Sequence, residues 1–320
     1  MKPPEFSRAD KGCILPSADH RNFRCNGDAA PEPCYLSLWR ENSNMDSDII
    51  QVERDNRVAV ITLNRPERLN AISRETIRAV MSAMDELEND ETVAVVILRG
   101  TGRAFSAGMD LKDDSSAGVS GEDGWREVLS EDLSFLTRFW HFPKPTIAVV
   151  HGFCLAAACD LAIGCDITIA EEGAYFGKPE LKFGSVITAM MMPWLAGPKI
   201  AKELLLGADD RVGAERALAV GLVNHVVPSG EGFVFARDMA ERMARMDDDA
   251  LRLTKEAINK SFDIMGLEKA LAANLDLAVE IEAMETPSRA RFKEIARTEG
   301  LQAALNWRES RFSKDRNEKP

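Results

Sequence analysis

Thr146-Ile-Ala-Val-Val-His-Gly-Phe-Cys-Leu-Ala-Ala-Ala-Cys-Asp-Leu-Ala-Ile-Gly-Cys-Asp-Ile-Thr-Ile-Ala170 decides the fold. Its first five residues form a β-branched apolar run, the composition of a strand covered on both faces. Gly152 then turns the chain into an apolar helix, and Asp166-Ile-Thr-Ile-Ala170 reads as the next strand. Strand, helix, strand in this order is a crossover unit, which implies parallel pairing with helices over the sheet.

The same alternation extends toward the N-terminus. Val58-Ala-Val-Ile-Thr-Leu63 is a buried strand, broken by Asn64-Arg-Pro66. Ser73 is a helix N-cap, and Ile77, Val80, Met81, Met84 and Leu87 follow at helical spacing. Val93-Ala-Val-Val-Ile-Leu98 is a second strand, closed by Gly100-Thr-Gly102. Residues 113–124, rich in Gly, Ser and Asp, read as a mobile loop, and a helix runs through Trp125–Trp140 before Pro143 and Pro145. From about residue 199 the chain is nearly all helical, with Leu267, Ala270, Leu271, Asn274, Leu275, Ala278 and Ile281 on one face. The fold class is therefore α/β: a core over 49–245 and a helical C-terminal region over 246–320, with no internal repeat. Residues 1–48 keep no sustained period, which predicts a disordered extension or a misassigned start with Met45 as the beginning.

At 320 residues the chain can bury a core without disulfides or metal. Lys plus Arg number 40 against 52 Asp plus Glu, a net charge of -12 that argues against a general nucleic-acid or anionic-membrane binder. No apolar run is long enough to cross a membrane. The first residues lack the apolar core of a signal peptide. The six cysteines form no CxxC pair, and His20, His141, His151 and His225 form no metal pair, so no metal site is expected. Cysteines of this kind read as reduced thiols packed as small hydrophobes, which predicts a cytoplasmic protein.

Four segments are candidates to carry chemistry. From Phe153 to Cys165 the only charged side chain is Asp160. A carboxylate among apolar neighbours is either paired with backbone amides or an arginine, or is a tuned general acid or base. Phe176-Gly-Lys-Pro-Glu180 places Glu180 at the start of a turn or helix, where it is a solvated first-turn carboxylate unless the fold brings it beside Asp160. Arg103-Ala-Phe-Ser-Ala-Gly-Met-Asp-Leu111 bends at Gly108, so that backbone N–H groups can face a cleft. Arg65 and Arg68, in Asn64-Arg-Pro-Glu-Arg-Leu-Asn-Ala-Ile72, could meet phosphates. The glycine motifs of Rossmann and P-loop sites and the hydrolase nucleophile elbow are absent.

These segments, in this order, resemble the crotonase (enoyl-CoA hydratase/isomerase) superfamily over about residues 50–315. Leu63-Asn-Arg-Pro66 with Asn70-Ala71 is similar to its first strand and CoA-contacting turn. Ala104-Phe-Ser-Ala-Gly-Met-Asp-Leu111 is similar to its first oxyanion loop, Lys144–Gly152 to the approach to the second, and Gly221–Pro228 to the segment that closes the core. The resemblance implies a ClpP/crotonase spiral of ββα turns, two roughly perpendicular sheets, and a helical C-terminal region that builds a homotrimer or a dimer of trimers. It also implies an acyl-CoA thioester as substrate and no cofactor besides. Backbone N–H groups of Met109 and Ala157 would form the oxyanion hole, Asp160 and Glu180 the catalytic pair, and Arg68, Ala71, Ala107, Asp110, Leu111, Ala156 and Pro179 the substrate and CoA contacts. The implied activity is hydration of a 2-enoyl-CoA, with an enoyl- or dienoyl-CoA isomerase and a low-activity acyl-CoA-binding protein as alternatives.

The sequence departs from the family pattern at four places. Asp160 stands where hydratases carry Glu, shortening the reach by about 1.5 Å. Thr188 stands where the dienoyl-CoA isomerases and the aryl-CoA dehalogenases carry a further Asp. Ala156-Ala-Ala158 replaces a glycine-rich triplet. Ser185–Pro193, with three methionines, replaces a Pro-Gly-rich loop and reads more as core packing than as substrate wall.

Overall fold

The computed structural model describes residues 49–113, 118–185, 187–284 and 286–312. The readings of residues 1–48 and of positions 114–117 in the 113–124 loop lie outside these. The N-terminal half runs β1 (Ile50–Asp55), β2 (Val58–Leu63), α1 (Arg74–Asn89), β3 (Val95–Gly100), α2 (Gly121–His141), β4 (Thr146–Val150), β5 (Phe153–Leu155), α3 (Ala157–Gly164) and β6 (Ile167–Glu171). It continues with β7 (Tyr175–Gly177), a short 3₁₀ turn (Glu180–Phe183), α4 (Met192–Leu195), α5 (Pro198–Leu206), β8 (Val212–Gly213), α6 (Ala214–Ala219) and β9 (His225–Val227). Five helices end it: α7 (Gly232–Met243), which packs on the sheet, and the C-terminal run α8 (Asp248–Met265), α9 (Leu267–Ala283), α10 (Pro287–Glu299) and α11 (Leu301–Ser310).

The main sheet has the order β1-β2-β3-β4-β6-β9, with only β1 antiparallel to its neighbour. Strands β2, β3 and β4 are buried almost throughout, which is why they read as unbroken apolar runs. Edge strand β1 carries Glu53, Arg54 and Asp55 on an exposed surface that resists pairing with another chain. A second sheet, β5-β7-β8, leaves the first at Gly152 and carries the residues discussed below.

Several element ends differ from the sequence reading. Strand β3 begins at Val95 and α2 begins at Gly121, so residues 121–124 are helical rather than loop. Acidic Glu122 and Asp123 in that first turn favour helix through the dipole, an effect that apolar periodicity does not register. Strand β5 stands between Gly152 and α3, where the sequence suggests direct entry into a helix. Beyond residue 199 the strands β8 and β9 interrupt the helices, and β9 completes the main sheet beside β6.

Helix α1 follows its expected cap: the Ser73 side chain accepts from the Thr76 N–H, and Ile77, Val80, Met81, Met84 and Leu87 are buried. On the sheet, Ala236 and Ala240 of α7, with Ala244 just beyond, lie against Val58, Val95, Ile97, Ile147 and Val149. Small residues one turn apart let the helix backbone approach the sheet closely. Lys255 of α8 is buried, and its Nζ donates to the carbonyls of Phe139 (3.1 Å) and Lys144 (3.2 Å) and to Asp166 Oδ2 (2.8 Å), fixing α8 to the mouth of β4 and β6.

Ala236→Leu should overfill this layer and destabilise the protein by about 1–3 kcal/mol. A thermal melt reads this as a drop of several degrees, roughly 2–4 °C per kcal/mol for a domain this large.

Candidate functional site

The site begins with the register of two three-residue strands. Strands β5 and β7 run parallel with Leu155 opposite Gly177, so Ala156 and Lys178 leave the sheet side by side. The Ala156 N–H donates to the Gly177 carbonyl at 2.7 Å, and the Lys178 N–H to the Asp209 carbonyl at 3.0 Å. Gly177 is required there, because a Cβ would fall 2.4 Å from Asp210 Cα. Immediately after these positions the two chains diverge. One enters α3, which carries Asp160 in its first turn; the other passes Pro179 into the 3₁₀ turn headed by Glu180.

The fold thus brings Asp160 and Glu180 together, but through a third residue. Lys178 is 2% exposed. Its Nζ lies 2.5 Å from Asp160 Oδ2, 2.7 Å from Glu180 Oε1 and 3.2 Å from the Ala156 carbonyl oxygen. Glu180 Oε2 is buried and has no hydrogen-bond partner among the described residues. Burial pushes the Asp160 carboxyl up to about 7; the Lys178 ammonium pulls against this, and the Glu180 charge adds to it. Burial also works against the Lys178 charge, but the two carboxylates outweigh it and its pKa is raised. The partner of Asp160 is neither a run of amides nor an arginine, the two pairings the sequence suggested.

The two loops beside this cluster touch each other. Ile72 accepts from the Asp110 N–H and donates to the Gly108 carbonyl, each at 2.8 Å. Bonding the flanking groups in this way turns the Met109 N–H away from Ile72. A Cβ on Gly108, whose φ is +86°, would lie 2.6 Å from the Leu155 carbonyl oxygen, 2.8 Å from Ala156 Cβ and 3.3 Å from the Ala157 nitrogen. Glycine is what allows the first loop to meet the second. Among the described residues, no backbone acceptor is found for the N–H of either Met109 or Ala157. Ala156 adopts φ 52°, ψ −127°, a region that belongs to glycine. A positive φ in the alanine triplet is what the sequence left open, and the Cβ is carried there at a cost.

The third group lies on the turn after β2. Arg65 Nη2 pairs with Asp110 Oδ2 at 2.9 Å, and Arg68 Nη1 lies 3.6 Å from the same oxygen. Arg65 also donates to the Ala71 carbonyl at 2.6 Å, and the Ala107 N–H donates to the Leu69 carbonyl at 2.9 Å. Asp110 therefore offsets one of two arginines and leaves Arg68 nearly half exposed. Leu111 is exposed beside it, whereas Ala71 is buried. On the far side of the two loops, Pro179 is buried and Ala156 is half-buried.

Sequence reasoning missed Lys178 and the groups that brace Glu180 from the C-terminal helices. Arg289 Nη2 donates to the Gly184 carbonyl at 2.9 Å and to Glu282 Oε1 at 2.8 Å, while its Nη1 caps the end of α9 at the carbonyls of Ile281 and Glu282. The Ser185 hydroxyl donates to the same Glu282 carboxylate. Asn274 Nδ2 donates to the carbonyls of Ile187 and Thr188, each at 2.8 Å. The segment after Glu180 is thus pinned from α9 and α10. Thr188 serves there through its backbone, and Met191 and Met192 are buried in the core. The one available signal was a lysine two residues from Glu180 in an otherwise apolar strand end.

The chain belongs to the enoyl-CoA hydratase/isomerase family, whose sequence profile matches residues 53–313. Among its relatives, the short-chain-enoyl-CoA hydratase of Clostridium acetobutylicum is 34% identical over 71% of this chain and 87% of its own length. The 2,3-dehydroadipyl-CoA hydratase of Escherichia coli is 31% identical over 82% of this chain and 97% of its own. The crystal structure of an enoyl-CoA hydratase/isomerase from Xanthobacter autotrophicus Py2 superimposes with a TM-score of 0.80 at 46% identity, covering 82% of this chain and 98% of that one. The fold is accordingly the crotonase fold that the sequence resemblance implied.

Ala156→Gly should remove the Cβ from a glycine-type conformation. Relief of about 1–3 kcal/mol of strain exceeds the added unfolded-state entropy of roughly 0.5–1 kcal/mol. The melting temperature is expected to rise by a few degrees; an unchanged or lower value would show that the backbone there is unstrained.

Proposed function

We propose that this chain is an enoyl-CoA hydratase that acts on a 2-enoyl-CoA thioester without a cofactor. The observation that carries the reading is the convergence of Asp160 and Glu180 on one nitrogen, beside two touching loops whose Met109 and Ala157 N–H groups find no backbone acceptor among the described residues. The thioester oxygen would sit between those N–H groups. As the water oxygen bonds to Cβ, the C=C π electrons shift toward the thioester and its carbonyl pair moves onto the thioester oxygen, forming an enolate. Preorganised amides stabilise the developing charge, each contributing about 3 kcal/mol. Of the carboxylates, one accepts the proton lost by water and the other delivers a proton to Cα, after which the thioester carbonyl re-forms.

Arg68, nearly half exposed and the more loosely paired of the two arginines with Asp110, is the cation offered to the CoA phosphates. Ala71, Ala107 and Leu111 would flank the nucleotide, with Ala156 and Pro179 on the acyl side. Exposed Leu253, Ile258 and Ile264 on α8 and Leu277 on α9 support assembly as a homotrimer or dimer of trimers. The reading assigns the enzyme to the cytoplasm, in keeping with free Cys154, Cys159 and Cys165.

The test is loss of the conjugated-thioester absorbance of crotonyl-CoA, then of a wider panel of enoyl thioesters, with mass spectrometry of products formed in ¹⁸O-water. The expected product carries one solvent oxygen. Glu180→Gln and Asp160→Asn should each lower kcat by about 10²–10⁴-fold. A rearranged product without solvent oxygen would replace this reading with the isomerase. Tight thioester binding without turnover across the panel would replace it with an acyl-CoA-binding protein.

A further inference from the structure

Lys178 has no part in the reaction as written above, yet it touches every element of it. Two oxygens 2.5 Å and 2.7 Å from one nitrogen are at most about 5.2 Å apart, so without the lysine two buried carboxylates would face each other at like-charge distance. The third contact of Nζ is the carbonyl of Ala156. That carbonyl belongs to the same peptide as the Ala157 N–H, and in a trans peptide the two point in opposite directions. A hydrogen bond from an ammonium to the oxygen both fixes the plane of the peptide and polarises its N–H. This is also the peptide whose orientation is set by the ψ of Ala156, the residue held in a glycine-type conformation.

We propose that Lys178 is a positioning residue: its ammonium holds Asp160 and Glu180 as a charge pair, leaves Glu180 Oε2 as the oxygen free to take a proton, and aims the Ala157 N–H at the thioester oxygen. The inference rests on the hydratase reading and deepens it. One side chain couples the proton-transfer group to the oxyanion donor, so both respond to its removal. The groups facing Lys178 are Asp160 and Cys159 from α3, Cys154 from β5, Glu180 beyond Pro179, and the Asp209 carbonyl. Both cysteines are buried, and burial holds the Cys154 thiol well above its ordinary pKa. The carboxylates are thus the charges that answer to this ammonium.

The experiment compares the full chain with Lys178→Met and Lys178→Gln in two assays. One is the pH profile of kcat/KM on the thioester that the wild type turns over. The other is the ultraviolet absorbance of enolate when acetoacetyl-CoA, a β-ketothioester, is bound. Lys178→Met should lower kcat by at least about 100-fold with KM changed by less than about threefold. Its acid limb should move up by about one pH unit or more, because one carboxylate now holds its proton beside the other. The bound enolate should fall by about tenfold. Lys178→Gln keeps a donor without the charge, so it should recover part of the enolate signal while keeping the displaced acid limb. It also decides the matter if the methionine variant does not fold. An unmoved acid limb with wild-type kcat in a folded variant overturns the proposal, as does a loss confined to KM. A wild type that neither turns over an enoyl thioester nor binds the enolate overturns the functional reading itself, a different result from a working wild type that is indifferent to Lys178.

Discussion

One buried ammonium carries the organisation of this site. Moving an ion out of water costs several kcal/mol even after the protein relaxes around it, and two carboxylates are gathered here within hydrogen-bond reach of one ammonium. The cluster is tolerable because Lys178 contacts two carboxylates and a carbonyl, and because its own pKa is raised by those charges despite burial. Removing the ammonium leaves two carboxylates uncompensated in a medium where unpaired charge is most expensive. That constraint accounts for a strained alanine at position 156: the bond from the Ala156 N–H to Gly177 and the bond from Lys178 to the Ala156 carbonyl hold the two peptides that flank it.

The rest of the fold serves to bring these groups together. Strands β2, β3 and β4 form the rigid layer from which the first loop leaves after β3 and the second sheet leaves after β4. Strands β5 and β7 are short, and their register alone sets Ala156 beside Lys178. Glycines at 108 and 177 permit backbone approaches that any side chain would block. The C-terminal helices reach back through Arg289 and Asn274 to hold the segment that follows Glu180, so the helical region is part of the site's support.

The parts legible in the sequence are those governed by local pattern. Val58–Leu63 and Thr146–Val150 are strands with the bounds read from their composition, and Ser73 caps α1 as its side chain dictates. Asp160 stood out because nothing else between Phe153 and Cys165 is charged. What escaped depends on pairing between segments far apart in the chain. Phe153–Leu155 is a strand only because Phe153 pairs with Tyr175 and Cys154 with Phe176; alone it continues an apolar helical run. Lys178 draws no reading of its own within Phe176-Gly-Lys-Pro-Glu180. Its burial follows from β7 lying between β5 and β8, which no periodicity records. Asn274 reads only as one position on the apolar face of its helix; its bonds to the carbonyls of Ile187 and Thr188 depend on a loop far away in the chain.

The most direct test of the central constraint is the ionisation of Lys178 itself, followed through the ¹⁵N shift of its Nζ in the unmodified protein. The account predicts an ammonium that persists past the ordinary lysine value of 10.5 for as long as the protein stays folded. An Nζ that becomes a neutral amine near neutral pH would contradict it, since burial would then outweigh the carboxylates and the lysine could not be what holds them together.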